Sequence, residues 1–342
     1  MNLGDHMSGF KDVVGHKELL QYIKNAVLHD AVSHAYILSG ESGSGKRMLA
    51  DLFAMSLQCQ NRREDAEPCG TCQSCIQVKH ESHPDIKIIT HEKPGSIGVD
   101  DIRDQVNADI VIKPYANPYK IYIIPDAELM TVQAQNALLK TMEEPPEYAI
   151  IMLLCTNVEE MLPTIQSRCV MLKLRHLRDV LIHRYLVEQL GIDQEKAEVC
   201  VAFAGGNMGK AITLSNSEYF QDLRTEVVRL LTRVDHMEYH ELFASAKRAS
   251  DYKLSVSDYL DLIAIWYRDT LIYKATKNVG QVIFKDQLSH IKELASKASY
   301  EGIENVLEAI EKSKARLEAN VNFELTMELL LFAMQDVTRS YR

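Results

Sequence analysis

The sequence predicts an α/β domain on a parallel sheet followed by an all-α region, and three observations predict it. A glycine-rich stretch, Gly40-Glu41-Ser42-Gly43-Ser44-Gly45-Lys46-Arg47, follows a short apolar run (Tyr36, Ile37, Leu38) and precedes an amphipathic one (Met48, Leu49, Leu52, Phe53). Strand, glycine loop and helix, in that order, are the setting of a phosphate-binding loop. Strand-like and helix-like runs then alternate, the signature of parallel strands joined by crossover helices. All nine prolines lie at or before Pro163, so the rest of the 342-residue chain can run as uninterrupted helix.

Taken in order, Phe10 to Gly15 leads into a helix over Lys17–Leu28, and His34-Ala35-Tyr36 opens the strand that feeds the loop. His34 reads as structural rather than as a catalytic base. In the loop, glycines let backbone N–H groups curl round a phosphate, and the following helix N-terminus adds partial positive charge. Lys46 is the point charge for outer phosphates. The last motif position calls for a Ser or Thr hydroxyl to hold Mg²⁺, and here it is Arg47. The loop is therefore expected to cradle phosphate but to support metal-assisted hydrolysis poorly.

After the loop helix come Cys59 and Cys69-Gly70-Thr71-Cys72-Gln73-Ser74-Cys75. Tight C-x2-C turns aim thiolates at one point, and Cys59 closes a tetrahedron. Four thiolates with no open position describe structural Zn²⁺. The insert has too few apolar residues for a core of its own, so the metal would supply its fold. Four unliganded thiols or a disulfide pair are the alternatives. Cys155, Cys169 and Cys200 sit singly among apolar neighbours and read as core residues.

Asp85 to Thr90 and Tyr119 to Ile124 are strand-like, and Gly98 to Arg103 begins a helix with acidic residues in its first turn. A nucleotide hydrolase places an Asp and then a Glu after the second of these strands. Pro125 and Asp126 occupy those places, or, with the register slipped by one, Asp126 and Ala127. Either way the acid pair is incomplete. Thr131 caps a helix that stops at Pro145-Pro146. Ala149 to Cys155 reads as a central strand ending in the polar pair Thr156-Asn157. Arg168, in Leu162-Pro163-Thr164-Ile165-Gln166-Ser167-Arg168-Cys169, reads by itself as surface decoration. From Leu174 the pattern is helical: Arg178–Gly191, Gln194–Ala204, a break at Gly205-Gly206-Asn207-Met208-Gly209, then Tyr219–Val234, Ser257–Ala275, Tyr300–Glu318 and Phe323–Tyr341. Trp266 lies in an apolar stripe with Leu262, Ile263 and Tyr267, a bundle core or subunit interface rather than a cofactor box.

Composition narrows the function. The chain is 46% hydrophobic and 25% charged, as ordinary globular proteins are. A net charge of -10 argues against holding nucleic acid by bulk charge, so DNA contact would be local or shared with partners. With the closed four-thiolate site, it also argues against a free-standing zinc-dependent DNA-binding module. The longest unbroken apolar run, Ala149 to Cys155, is too short to span a bilayer, and no secretory signal is evident. The first eight or so residues are expected to form a loose end. An odd count of seven cysteines points to reduced thiols and a cytoplasmic location.

These residues together resemble the delta-prime family of bacterial DNA polymerase III clamp-loader subunits. The carriers are HAYILSGESGSGKR, CGTCQSC, Asn136-Ala137-Leu138-Leu139-Lys140-Thr141-Met142-Glu143-Glu144-Pro145-Pro146, Ser167-Arg168-Cys169, and Glu318-Ala319-Asn320-Val321-Asn322 before a Leu-rich helix. The resemblance implies an AAA+ module over residues 1–173 with a zinc insert at 59–75, a helical lid over 174–214 and a helical collar over 215–342. It implies that Arg168 is an arginine finger working in a neighbouring subunit's ATP site, that Thr156 is the polar sensor, and that Gly209 stands where active relatives carry a nucleotide-sensing Arg. It implies a hetero-pentamer with gamma/tau ATPase subunits and a delta subunit, loading a sliding clamp on primed DNA, with no membrane. The chain is expected not to be an enzyme by itself and to hold ATP or ADP without hydrolysis. The competing expectation is an ATP-hydrolysing motor subunit of such a complex.

Overall fold

The computed structural model describes residues 9–91, 93, 95–250, 252, 256–319 and 321–339. The expected loose end over residues 1–8, Asn320 of the C-terminal motif and the last residues expected of the final helix lie outside these.

Five parallel strands, β1 (Ala35–Ser39), β2 (Ile86–Ile88), β3 (Lys120–Ile124), β4 (Ala149–Cys155) and β5 (Val170–Lys173), form one sheet in the order β2-β3-β4-β1-β5. Every residue of β1, β3 and β4 is buried, as runs apolar but for Ser39 and Lys120 require when helices cover both faces. Alternation sorts the side chains. Tyr36, Leu38, Ile121, Ile123, Met152 and Leu154 face one core layer with Leu52 and Phe53. Ile37, Tyr122, Ile124, Ile151 and Leu153 face the other with Ala134 and Leu138. Parallel register sets Ser39 beside both Cys155 and Lys173, so the glycine loop leaves the sheet between the ends of β4 and β5.

The helices of this region are α1 (Lys17–Leu28), α2 (Lys46–Gln58), α3 (Gln73–Lys79), α4 (Val99–Ile102), α5 (Val132–Glu143) and the single turn α6 (Pro163–Gln166). α5 starts where expected, with Thr131 Oγ1 accepting from Ala134 N–H at 3.2 Å. Strand β5 is not legible in the sequence. Of its four residues only Leu172 is fully buried, and pairing with β1 rather than a local pattern makes it a strand. The helical pattern expected from Leu174 starts later, at α7 (Asp179–Glu188).

Two compact units emerge: Met1–Ile182 with Gly206–Lys210, and His183–Gly205 with Ala211–Arg342. Beyond α7 the helices are α8 (Gln194–Ala204), α9 (Met208–Asn216), α10 (Glu218–Leu231), α11 (Tyr239–Ala249), α12 (Val256–Thr276), α13 (Leu288–Lys297), α14 (Tyr300–Glu318) and α15 (Phe323–Arg339). In the second unit α12 packs against α10, α13 and α14, and α15 against α11 and α14. α11 escapes sequence reading because its buried face carries Ser245, Ala246 and Ala249 beside a single Leu242. Trp266 is buried edge-on against Phe284, ring centroids 5.6 Å apart, as a core residue. Among the described residues no helix is long and apolar enough to cross a membrane.

Asp269 is expected to make this unit pH-sensitive. It is fully buried and accepts from Ile283 N–H at 2.7 Å and Phe284 N–H at 2.8 Å, so it holds the chain that returns from α12. Burial outweighs these bonds and pushes its carboxyl up to about 6. The folded protein then binds the proton more tightly than the unfolded chain, so stability falls as pH rises through this range and levels off above it. Lowering pH from 7 to 5 is expected to stabilise the wild type by about 1 kcal/mol more than the Asp269→Asn variant, read as unfolding midpoints at the two pH values.

Candidate functional site

The glycine loop turns through positive φ at Gly43 (79°) and Gly45 (95°), conformations that favour glycine, and α2 begins at Lys46. Lys46 Nζ donates to Gly40 O at 2.5 Å, Glu41 O at 3.1 Å and Thr156 Oγ1 at 3.3 Å. The ammonium group therefore lies between the loop and the end of β4, and the structure brings Lys46 and Thr156 together. Ser44 Oγ is buried with no hydrogen-bond partner among the described residues. A buried hydroxyl without a partner in a phosphate-type loop fits an acceptor-rich ligand such as phosphate.

Arg47 does not join that group. Its Nε donates to both oxygens of Asp51 at 3.0 Å, and its far nitrogen to Glu81 Oε1 at 2.7 Å. Burial raises the Asp51 pKa, with the Arg47 guanidinium opposing it. The side chain at the motif's metal-binding position is thus engaged along α2 and toward the chain after α3.

Asp126 also stands apart. It is exposed, with φ 46° in the left-handed region, and starts a short turn over Ala127–Leu129. That turn brings Glu128 back to the sheet, a residue the sequence reading passed over. Glu128 Oε1 accepts from Thr156 N–H at 2.9 Å, while Oε2 is buried with no partner among the described residues. Burial pushes the neighbouring Cys155 thiol up to about 11, with the Glu128 carboxylate adding to the rise and Lys46 opposing it. The only trace of Glu128 in the sequence is an acid two places beyond the expected one.

Residues 206–210 close over the loop. Asn207 Nδ2 donates to Ser42 O at 2.7 Å, and Gly209 N–H donates to Gly43 O at 3.0 Å. A Cβ on Gly209 would come within 2.5 Å of Gly43 O, so this position admits no side chain without a shift. Glu41 pairs with His176 Nε2 at 2.8 Å, and this bond and one from Asn207 hold its carboxyl below the usual range. A cavity of about 540 Å³ adjoins, lined by Gly15, His16, Tyr22, Leu172, His176 and Leu177.

Arg168 follows α6. Its guanidinium donates to Thr164 O and to Glu143 Oε1, both at 3.0 Å, and its side chain is 38% exposed. Buried Gln135 on α5 fixes the approach to α6: Nε2 donates to Met130 O and Glu160 O at 3.1 Å, and Oε1 accepts from Leu162 N–H at 2.7 Å.

The four clustered cysteines converge away from the loop. Their sulfurs lie within 4.8 Å of one another, with Cys59–Cys72 at 4.0 Å and Cys69–Cys75 at 3.9 Å. Tetrahedral Zn–S bonds of about 2.3 Å would set sulfurs about 3.8 Å apart. Cys72 N–H points at Cys69 Sγ (3.3 Å) and Cys69 N–H at Cys59 Sγ (3.2 Å). Against burial, backbone N–H groups of Thr71 and Cys72 bring the Cys69 thiol down to about 6, toward the thiolate a metal takes, while burial pushes the Cys59 and Cys75 thiols up. The donor set fits a four-coordinate metal ion.

Sheet order, glycine loop and following helix define a P-loop-type α/β module. Two family models match the chain, both for the DNA polymerase III delta subunit: one over residues 15–178, and the C-terminal one over residues 220–336. The chain is 29% identical to DNA polymerase III subunit delta' of Bacillus subtilis over 93% of its own length and 95% of that protein's. It is likewise 29% identical to subunit tau of the same organism over 90% of its length, spanning 58% of that relative. A gamma subunit-related protein of Thermotoga maritima superposes with TM-score 0.41 at 22% identity, covering 94% of this chain and all of that one. The chain belongs to the DNA polymerase III delta-subunit family, the clamp-loader-related subunits of DNA replication.

Proposed function

We propose that this protein is a non-hydrolysing, delta-prime-type subunit of a clamp loader, lending Arg168 to the ATP site of a neighbouring subunit. In this reading residues 1–173 are the ATPase-like module, 174–214 the lid and 215–342 the collar that assembles with gamma/tau and delta subunits, in the cytoplasm, to place a sliding clamp on primed DNA. Residues 40–46 hold the phosphates of ATP or ADP, the adjoining cavity has room for the nucleoside, and Cys59, Cys69, Cys72 and Cys75 hold Zn²⁺. Arg47 carries the reading: the position that should offer a hydroxyl to Mg²⁺ offers a guanidinium already paired with Asp51 and Glu81. The exposure of Asp126 and the close approach at Gly209 point the same way.

Equal identity to a tau subunit makes an active motor the competing reading. ATP turnover by the purified protein separates the two. The expected rate equals the protein-free blank and is unaltered by Lys46→Ala. Turnover above the blank that Lys46→Ala abolishes would establish the motor.

A further inference from the structure

The end of β3 lacks the acid that a phosphate-loop site uses to hold a cation, since Pro125 has no ligand atom and Asp126 is turned out to solvent. The chain that follows restores one. The turn over residues 127–129 carries Glu128 to the end of β4, where its Oε1 accepts from Thr156 N–H at 2.9 Å. Thr156 Oγ1 in turn accepts from Lys46 Nζ at 3.3 Å. Loop lysine, strand-end threonine and carboxylate are thus consecutive neighbours at the mouth of the glycine loop.

A backbone cap explains only one oxygen of that carboxylate. The other is buried and has no donor among the described residues. An ionised carboxylate oxygen removed from water is costly unless a donor or a cation meets it. Lys46, the cation at the other end of this chain of contacts, is engaged by two loop carbonyls and Thr156. Within the glycine loop itself, Ser44 Oγ is also buried with no partner among the described residues.

We infer that Glu128, two places beyond the expected acid, is this protein's divalent-cation ligand, placed to hold Mg²⁺ beside the phosphates of a nucleotide in the loop. The inference rests on the nucleotide-holding part of the proposed function and is independent of the arginine finger. A hard cation of this kind takes one or two carboxylates and completes its shell with water and phosphate oxygens. Such a site holds Mg²⁺-nucleotide without implying turnover, because the acid that would align an attacking water is a separate group.

The test is calorimetric titration of the full chain with ATP, once with Mg²⁺ and once with EDTA. Wild type is expected to bind ATP roughly tenfold or more tightly with Mg²⁺. Glu128→Gln keeps the shape and an oxygen to accept from Thr156 N–H. It is expected to bring the two affinities within about twofold of each other by weakening the Mg²⁺ titration alone, with its ligand-free unfolding midpoint unchanged within a few degrees. Asp126→Asn is expected to keep the wild-type ratio. An unchanged ratio in Glu128→Gln, a ratio lost in Asp126→Asn, or equal wild-type affinity with and without Mg²⁺ overturns the assignment. If wild type binds no ATP under either condition, the nucleotide-holding reading falls with it, while the role of Arg168 stands on its own test.

Discussion

Replacing Arg168 by Ala in an assembled clamp loader is expected to slow single-turnover ATP hydrolysis at the adjoining site by about 10³-fold, the low end of what an arginine finger supplies. Assembly and the affinity of that site for ATP are expected to stay near wild type. Arg168 forms a half-exposed ion pair with Glu143. An exposed pair of this kind is worth about 0–1 kcal/mol, so removing it leaves the fold intact. The same weakness lets the guanidinium leave Glu143 for a phosphate at little cost. Its base is less free: Gln135 ties the approach to α6 through two hydrogen bonds, to Glu160 O and from Leu162 N–H, and Arg168 N–H itself donates to Ile165 O at 3.0 Å. A mobile tip on a fixed base suits a group that acts across an interface. Arg168→Lys keeps the charge but loses the planar fork, so it is expected to recover only a small part of the rate. Wild-type hydrolysis and clamp loading by the Arg168→Ala complex would refute the finger.

Where local pattern determines structure, the sequence was easy to read. The buried strands β1, β3 and β4 are apolar but for Ser39 and Lys120 at two of their ends, α5 carries its own cap at Thr131, and the four cysteines announce themselves by spacing. What stayed hidden depends on contacts far apart in the chain. β5 is a strand because β1 lies beside it. Arg47 could be seen to break the motif, but its partner Glu81 lies 34 residues away. Glu128 was masked by the expectation that an acid must sit at the strand end, whereas a turn of three residues brings a later one back to Thr156. The docking of Gly209 onto Gly43, which leaves no room for a side chain without a shift, is a contact that no sequence pattern expresses.

Removing one thiolate from the cysteine cluster is expected to cost more stability than any other single change considered. Cys75 is fully buried, and with Ala66, Cys72 and Val78 it belongs to the same apolar layer as Phe53 and Leu57 of α2 and Ile121 of β3. The insert thus has no core separate from the sheet. Within it, Glu67 is buried, accepting from Phe10 N–H at 2.8 Å and pairing with Lys24 at 2.7 Å, so the insert also anchors α1 and the residues before it. Structural Zn²⁺ contributes about 10–16 kcal/mol of apparent binding energy in isolated small domains, and that energy is folding energy. With Zn²⁺ on the four cysteines, part of that energy would hold the insert against the face of the sheet. Cys75→Ser is expected to reduce metal content from about one Zn²⁺ per chain to near zero and to lower the unfolding midpoint by about 10 °C or more. A chelator strong enough to strip the wild type should reproduce that midpoint, because both treatments remove the same tie. Stoichiometric zinc in the Cys75→Ser protein, or a stripped wild type that unfolds at its original temperature, would show that sulfur packing alone holds the insert in place.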